Sequence, residues 1–468
     1  MNTFDYGYDE DCTDDGRIND LVAAYEQRGK AAYFDSDALE DIASHYFELG
    51  ELERALIVID HLLTAHPFSS DAWMRRGVLL NNLGRHEEAL SSFDHAVRIN
   101  PADTETIVNR ALTLDSLGRT DEALEAFDVA LRYDPLYDEA HFGLGVTLER
   151  ADRIVEATRA FKICADLNPE HAEVWYELGF CYDRMGDDRQ SIRCYDRHID
   201  GDPFSQDAWY NRGIVLNRME RYEAAIDSYD MAIAIQEDFA SAYYNRGNAL
   251  ANLRRLREAM ESYEQVIALK GPDASTLCNM GLVYEELGER DAAIKFFRRA
   301  LVQDPHFPEA LYGLGCSYHA LERYEDARSC LNRAIHLFPD CGEFWYAKAE
   351  TEYSAGDVAM ALAAYETTVR LDCTNRDAWL DYAETLFETG RYEDSLGAFR
   401  HAVELDPRCA EAWFHQAKSL FALNRREECI ASLRNAFRLD PAKKDQFRHI
   451  YPYLHQIGHF RKQLGIDC

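Results

Sequence analysis

Small residues recur in this chain at a fixed interval of 34, and that period restricts the fold more than any other feature. Counted from Ser36 in steps of 34, twelve units run without insertion or deletion from 36 to 443. Position 8 of each unit is Gly or Ala throughout: Ala43, Gly77, Ala111, Gly145, Gly179, Gly213, Gly247, Gly281, Gly315, Ala349, Ala383 and Ala417. Position 20 is Ala in nine units and Ser191, Ser395 or Cys429 in the rest. Position 24 is aromatic in nine units, among them Phe93, Phe127, Tyr195, Tyr229 and Phe399, and position 4 holds all six tryptophans. Two small slots beside large knobs let a pair of helices cross closely. Gly at position 15 in seven units can take the left-handed conformation that ends a first helix, and Pro at position 32 in nine units stops a second. Each unit therefore reads as helix A, tight turn, helix B, tight turn. A fixed period of this length is the mark of a solenoid.

The remainder fits caps. Residues 1–16 are acidic and expected to be disordered. Residues 17–35 have the apolar spacing of a helix that covers the first hairpin. Residues 444–468 read as one or two short amphipathic helices closing the other end, since a solenoid needs terminal caps with a wet outer face.

Composition excludes several functions. The net charge is −34, which disfavours nucleic acid and anionic membrane as partners. The same acidity, with nine lysines against 41 arginines, fits either attraction of basic partners or a salt-adapted surface. The twelve cysteines form no CxxC pair and largely occupy slots that Ala fills elsewhere, so they read as small buried hydrophobes in a reducing compartment. The N-terminal stretch lacks an apolar core and no run of 18 apolar residues exists, so a cytoplasmic location is expected. Neither flank is large enough for a catalytic domain, and no phosphate loop, HExxH or GxSxG motif occurs. His455 and His459 stand at i, i+4 spacing, but no third ligand joins them, and they read as surface or capping residues. No enzyme activity, cofactor or metal is expected.

The pattern, shown well by AWYNRGIVLNRMERYEAAIDSYDMAI at 208–233, resembles the tetratricopeptide repeat (TPR) family, with its W-x2-L-G-x2-Y, A-x3-F, A and P signature. The departures are Glu237, Gly271 and Cys373 at position 32, Arg76, Arg110, Arg212 and Arg246 at position 7, and His198 in an alanine slot. The resemblance implies an all-α fold, a right-handed α-α superhelix in which helix A lines a groove and positions 2, 5, 6, 9 and 12 face a bound polypeptide. A kink is expected around Gly271 and Pro272.

On those positions the groove reading rests. Position 6 carries Asn109, Asn211, Asn245 and Asn279, the last three consecutive. A carboxamide both donates and accepts, so it can pair with a peptide bond irrespective of side chains. The run resembles the asparagine ladder of protein O-GlcNAc transferases, which grips target backbones, although Gly143, Glu177 and Gly313 interrupt it here. Position 5 carries Phe142, Tyr176, Tyr210, Tyr244, Tyr312, Tyr346 and Phe414, a stripe that is either groove wall or core between neighbouring helices. Tyr353, Phe387 and Phe421 at position 12 extend an apolar groove toward the C-terminus. Position 2 is acidic in ten units, explained either by an anionic groove or by the helix dipole. Relatives that clamp a C-terminal carboxylate do so with Lys at positions 2 and 5, and no unit has one, so that ligand class is disfavoured. The expected partner is protein or peptide, with basic or unfolded segments fitting the charge, and a homo-oligomer is compatible with the pattern. The expected role is a scaffold binding extended segments. Alternatives are a regulatory or substrate-recruiting subunit of a separate enzyme or, least favoured, an enzyme with an unrecognised site.

Overall fold

The computed structural model describes residues 11–28 and 34–450. Among these the chain is all helix and turn, with 26 helices and no strand. Two compact units are present, Met1–Glu237 and Asp238–Cys468, each a stack of antiparallel hairpins in the expected phase. The seventh repeat, for example, pairs helix A at Ala240–Asn252 with helix B at Leu256–Lys270.

The crossing point of each hairpin is the position 8/position 24 pair. A Cβ added to Gly247 would lie 2.6 Å from the Tyr263 ring, and one added to Gly213 would lie 2.5 Å from that of Tyr229. Glycine is therefore a steric requirement of ring-to-backbone contact, and the rings it admits are almost wholly buried. Phe297 shows why the position-6 run is interrupted: its ring lies against Gly281 of its own repeat and also against Gly313 of the next.

The tryptophans do a different job from the core knobs they were expected to be. All six are half-buried. Each donates its indole N–H to the position-32 carbonyl of the preceding turn, as Trp73 does to Pro67 O at 3.0 Å and Trp345 to Pro339 O at 2.8 Å. Trp379 makes the same bond to Cys373 O at 3.1 Å, so that turn keeps its form without proline. There the Asp372 carboxylate accepts from the Thr374 N–H at 2.9 Å, an Asx turn repeated at Asp202, Asp304, Asp406 and Asp440.

Three of the position-7 arginines, Arg76, Arg110 and Arg212, tie neighbouring repeats together. Arg212 donates to Asp196 of the preceding helix B at 2.6 Å and to Ser228 of its own at 2.6 Å, and Arg76 repeats this with Asp60 and Ser92. Position 15 is left-handed in every repeat, including five without glycine: Asp152, Glu220, Arg254, Glu322 and Asn424, at φ from 56° to 60°. Gly271, at φ +81°, ends a helix B one residue longer than its neighbours, and Asp273 caps the next helix through the Thr276 N–H at 2.9 Å. His198 is buried, its ring 5.5 Å from that of Tyr176, consistent with a core histidine.

The ends differ from expectation in one respect. The first helix starts at Asp11, inside the segment expected to be disordered, and runs to Arg28. The last described helix is Lys443–Ile450, and its Phe447 packs on Phe437. Residues 1–10 and the rest of the C-terminal cap, with His455 and His459, lie outside the described residues.

Candidate polypeptide-binding face

Helix A of each repeat presents positions 5, 6, 9 and 12 on one face, because these offsets follow the helical turn. The position-5 stripe is packed on one side and open on the other. Phe142, Tyr176, Tyr210, Tyr244, Tyr312 and Tyr346 are half-buried. Five of these rings tilt against the position-24 ring of their own repeat, with centroids 5.7 Å apart for Phe142–Phe161, 5.9 Å for Tyr176–Tyr195 and 6.2 Å for Tyr244–Tyr263. Three of the tyrosine hydroxyls, those of Tyr176, Tyr244 and Tyr346, meet position 6 of the following repeat. Asn211 Nδ2 donates to Tyr176 Oη at 3.0 Å, Asn279 Nδ2 donates to Tyr244 Oη at 3.1 Å, and Tyr346 Oη donates to Asp381 Oδ2 at 2.6 Å.

Phe414 is the exception and a correction. It is 1% exposed, packed in the terminal core with Lys418 and Lys443 each 5.5 Å from its ring, and it forms no part of an open face. The final repeat is covered by the Lys443–Ile450 helix, which removes this position from solvent.

The asparagines differ among themselves. Asn109 follows Phe93 and Met74 rather than tyrosines, is half-buried, and its carboxamide bonds to no described residue. Asn245 is also half-buried. Asn279 sits in the most developed arrangement, a cavity of about 610 Å³ lined by Tyr244, Asn248, Asn252, Tyr263, Asn279 and Leu282 among others. Its Nδ2 also donates to Asn248 Oδ1 at 2.9 Å, and Tyr263 Oη donates to the same oxygen at 2.8 Å. This leaves Asn279 Oδ1 as an acceptor and Asn248 Nδ2 as a donor without partners among the described residues.

Asn248 was missed in the sequence. The available signal was that position 9 is apolar or small in most units, as in Val78, Leu112, Ile214 and Leu282, but polar in Asn248, Glu350, Glu384 and Lys418. The same three-repeat step that leads from Asn248 to Glu350 leads from Asn279 to Asp381. A second cavity, of about 180 Å³, lies there, lined by His319, Glu350, Tyr353, Tyr365, Asp381 and Glu384 among others.

Acidity is strongest where carboxylates crowd. Burial first, and Glu149 second, push Glu177 far above the ordinary carboxylate range, while Glu350 and Asp381 are raised chiefly by burial. Glu384 is held down by His415, whose Nδ1 lies 3.2 Å from it. Cysteine thiols in both units are silenced by burial, with Cys164, Cys181, Cys194, Cys278 and Cys316 pushed up to about 12. Among the described residues no group of three metal-ligating side chains is assembled, and no helix is long and apolar enough to cross a membrane.

Family models described as tetratricopeptide repeat match residues 40–104, 108–163, 172–203, 240–273, 274–307, 312–375, 376–419 and 410–443, and one described as TPR repeat matches 215–253. The chain belongs to the tetratricopeptide repeat family. As a TPR protein it is a protein-interaction scaffold in the coarse sense. A comparison with curated proteins finds no match. Among solved structures, this TPR chain is similar to MamA, at 28% identity over 36% of this chain and 92% of that one, TM-score 0.35. Yeast Tom70 is 15% identical over 88% of this chain and 99% of its own, TM-score 0.43. YrrB, described as a TPR protein with an unusual peptide-binding site, is 18% identical over 39% of this chain and 95% of its own, TM-score 0.33.

Proposed function

We propose that this TPR protein is a non-catalytic scaffold that holds extended polypeptide segments along its helix-A face, gripping their backbone through asparagine carboxamides. One observation carries the reading: the 610 Å³ cavity in repeats seven and eight, where Asn279 Oδ1 and Asn248 Nδ2 stand unpaired beside the Tyr244 and Tyr263 rings. One acceptor and one donor side by side match the N–H and C=O of a peptide group. The internal bonds fix both carboxamides before any ligand arrives, which lowers the ordering cost of binding. The aromatic rings beside them offer apolar contact to alternate side chains of an extended segment.

The protein works in the cytoplasm, on this reading, and relies on partners for any chemistry. In support, the described cysteines are free and mostly buried, as suits a reducing compartment. No nucleic acid, membrane or C-terminal carboxylate ligand is called for.

The test is selection of binders from a random-sequence peptide library with the full chain, followed by affinity measurement on an Asn248→Ala/Asn279→Ala variant. A loss of about tenfold for peptides of unrelated sequence is expected, in keeping with one or two backbone hydrogen bonds. Equal affinity in the variant, with its helical content and unfolding midpoint unchanged, sinks the backbone-grip reading.

A further inference from the structure

We infer that the smaller cavity in repeats ten and eleven is a pocket for a basic side chain, arginine or lysine, of the segment bound along the same face. The inference rests on the scaffold reading above and adds the chemistry of one position of the ligand.

The cavity holds about 180 Å³, room for the end of one long side chain rather than a separate domain. Three of its lining residues are carboxylates, Glu350, Asp381 and Glu384. No Lys or Arg lines it. His319 does, but burial lowers its basicity, and its Nδ1 is engaged with Thr351 Oγ1 at 3.1 Å. The Glu384 carboxyl is held down by the hydrogen bond to His415, whose Nδ1 lies 3.2 Å away, and also by Lys418. Asp381 accepts only the neutral hydroxyl of Tyr346, and Glu350 has no hydrogen-bond partner among the described residues. Two carboxylates thus face one small cavity with no cation opposite them.

Tyr365 supplies the independent observation. It is 3% exposed, lines the cavity, and its hydroxyl bonds to no described residue. Its counterpart Tyr263, three repeats earlier, donates to Asn248. The hydroxyl itself is not sealed off: it opens on the cavity, where a ligand donor can take the place of solvent. An ammonium or guanidinium group would donate to the Tyr365 oxygen and to both carboxylates at once, through charge-assisted bonds. Glu350 and Asp381 are themselves held above their ordinary range, which a cation between them would reverse. A free metal ion fits less well, since among the described residues no three ligating groups are placed to hold one.

The general acidity of the chain attracts any basic peptide, so the test separates this pocket from that background. The library is selected on wild type and on two variants of equal charge. One is Glu350→Gln/Asp381→Asn. The other is Asp340→Asn/Glu366→Gln, which neutralises two exposed carboxylates outside the cavity. Wild type and the outside variant are expected to enrich peptides with one fixed Arg or Lys about tenfold over the same peptides carrying citrulline or norleucine there. The cavity variant is expected to lose that enrichment and still bind neutral peptides. Tyr365→Phe, which keeps the ring and the charges, is expected to reduce the enrichment about threefold. Enrichment that persists in the cavity variant, or falls equally in the outside variant, overturns the pocket and leaves the scaffold reading intact. Failure of wild type to select any peptide overturns both. Added calcium, magnesium or spermidine as competitors identify a free-cation site, and displacement of the basic peptide by a divalent ion at micromolar concentration also overturns the inference.

Discussion

The cavity of repeats seven and eight and that of repeats ten and eleven are built from the same repeat positions and differ in chemistry. Tyr244, Asn248, Tyr263, Asn279 and Leu282 of the first correspond, residue for residue, to Tyr346, Glu350, Tyr365, Asp381 and Glu384, of which the last four line the second and Tyr346 bonds to Asp381. Helix geometry, aromatic pair and turn are held constant. What changes is that two carboxamides become carboxylates, that Leu282 becomes Glu384, and that Ala251 becomes Tyr353, whose hydroxyl donates to Glu388 at 2.9 Å and narrows the space. The difference shows how a solenoid varies its ligand without varying its fold. The packing positions carry the architecture, and the face positions are free to change one repeat at a time.

Four predictions strain this comparison. The frame beneath the cavities differs at position 8, Gly247 in one and Ala349 in the other. Gly247→Val should cost about 2–4 kcal/mol, because even a Cβ would press on the Tyr263 ring. Ala349→Gly should cost only about 1 kcal/mol. Urea unfolding of both variants checks this, and equal losses would mean that ring contact does not set the spacing.

Position 15 offers the opposite sign. Arg254, left-handed at φ 60°, borders the asparagine-lined cavity, whereas its counterpart is Gly356. Arg254→Gly should stabilise by about 1 kcal/mol, and Gly356→Ala should destabilise by a similar amount. Thermal melts that move both variants the same way would contradict it.

The hydroxyls should separate the two cavities next. Tyr263→Phe removes a bond to Asn248 and should cost about 1 kcal/mol, while Tyr365→Phe has no bond to remove and should cost close to nothing.

The smallest effect is in pH. Glu350 and Asp381 are raised in the folded state above their ordinary values of 4.5 and 3.8, so the folded protein binds protons more readily than the unfolded chain. That destabilises the protein at neutral pH and is relieved as pH falls through the raised values. Asp381→Asn should therefore raise the melting midpoint slightly at pH 7, with the gain shrinking toward pH 4. Asn279→Asp, its mirror, should lower the midpoint at pH 7 and not at pH 4. A pH-independent difference for either variant would point to packing rather than charge.

Much of this architecture was legible from residue types alone, because packing constraints repeat. Gly at position 8 coincides with an aromatic at position 24 in six repeats, where the ring lies on backbone, and the fixed period makes the coincidence visible. The role of Trp was not legible, since an indole N–H reaching a carbonyl six residues back is a matter of orientation, and bulk alone suggested core. Phe414 misled for a related reason: the other aromatic residues in its slot are half-open, whereas Phe414 is closed off beside the Lys443–Ile450 helix. The site was legible as a face but not as cavities. Asn248 and Glu350 act through neighbours on adjacent helices, and a position-by-position reading does not show which polar atoms are already satisfied.

The buried thiols carry one more consequence. Cys164, Cys181, Cys278, Cys316, Cys330 and Cys429 lie in repeats four, five, eight, nine and twelve, and burial raises the pKa of each. A thiol-directed label reacts with such a group when its repeat opens, so each cysteine is a clock for the breathing of its own hairpin. Read by peptide mass after timed labelling, they would chart where the array loosens and which stretch a bound segment holds still.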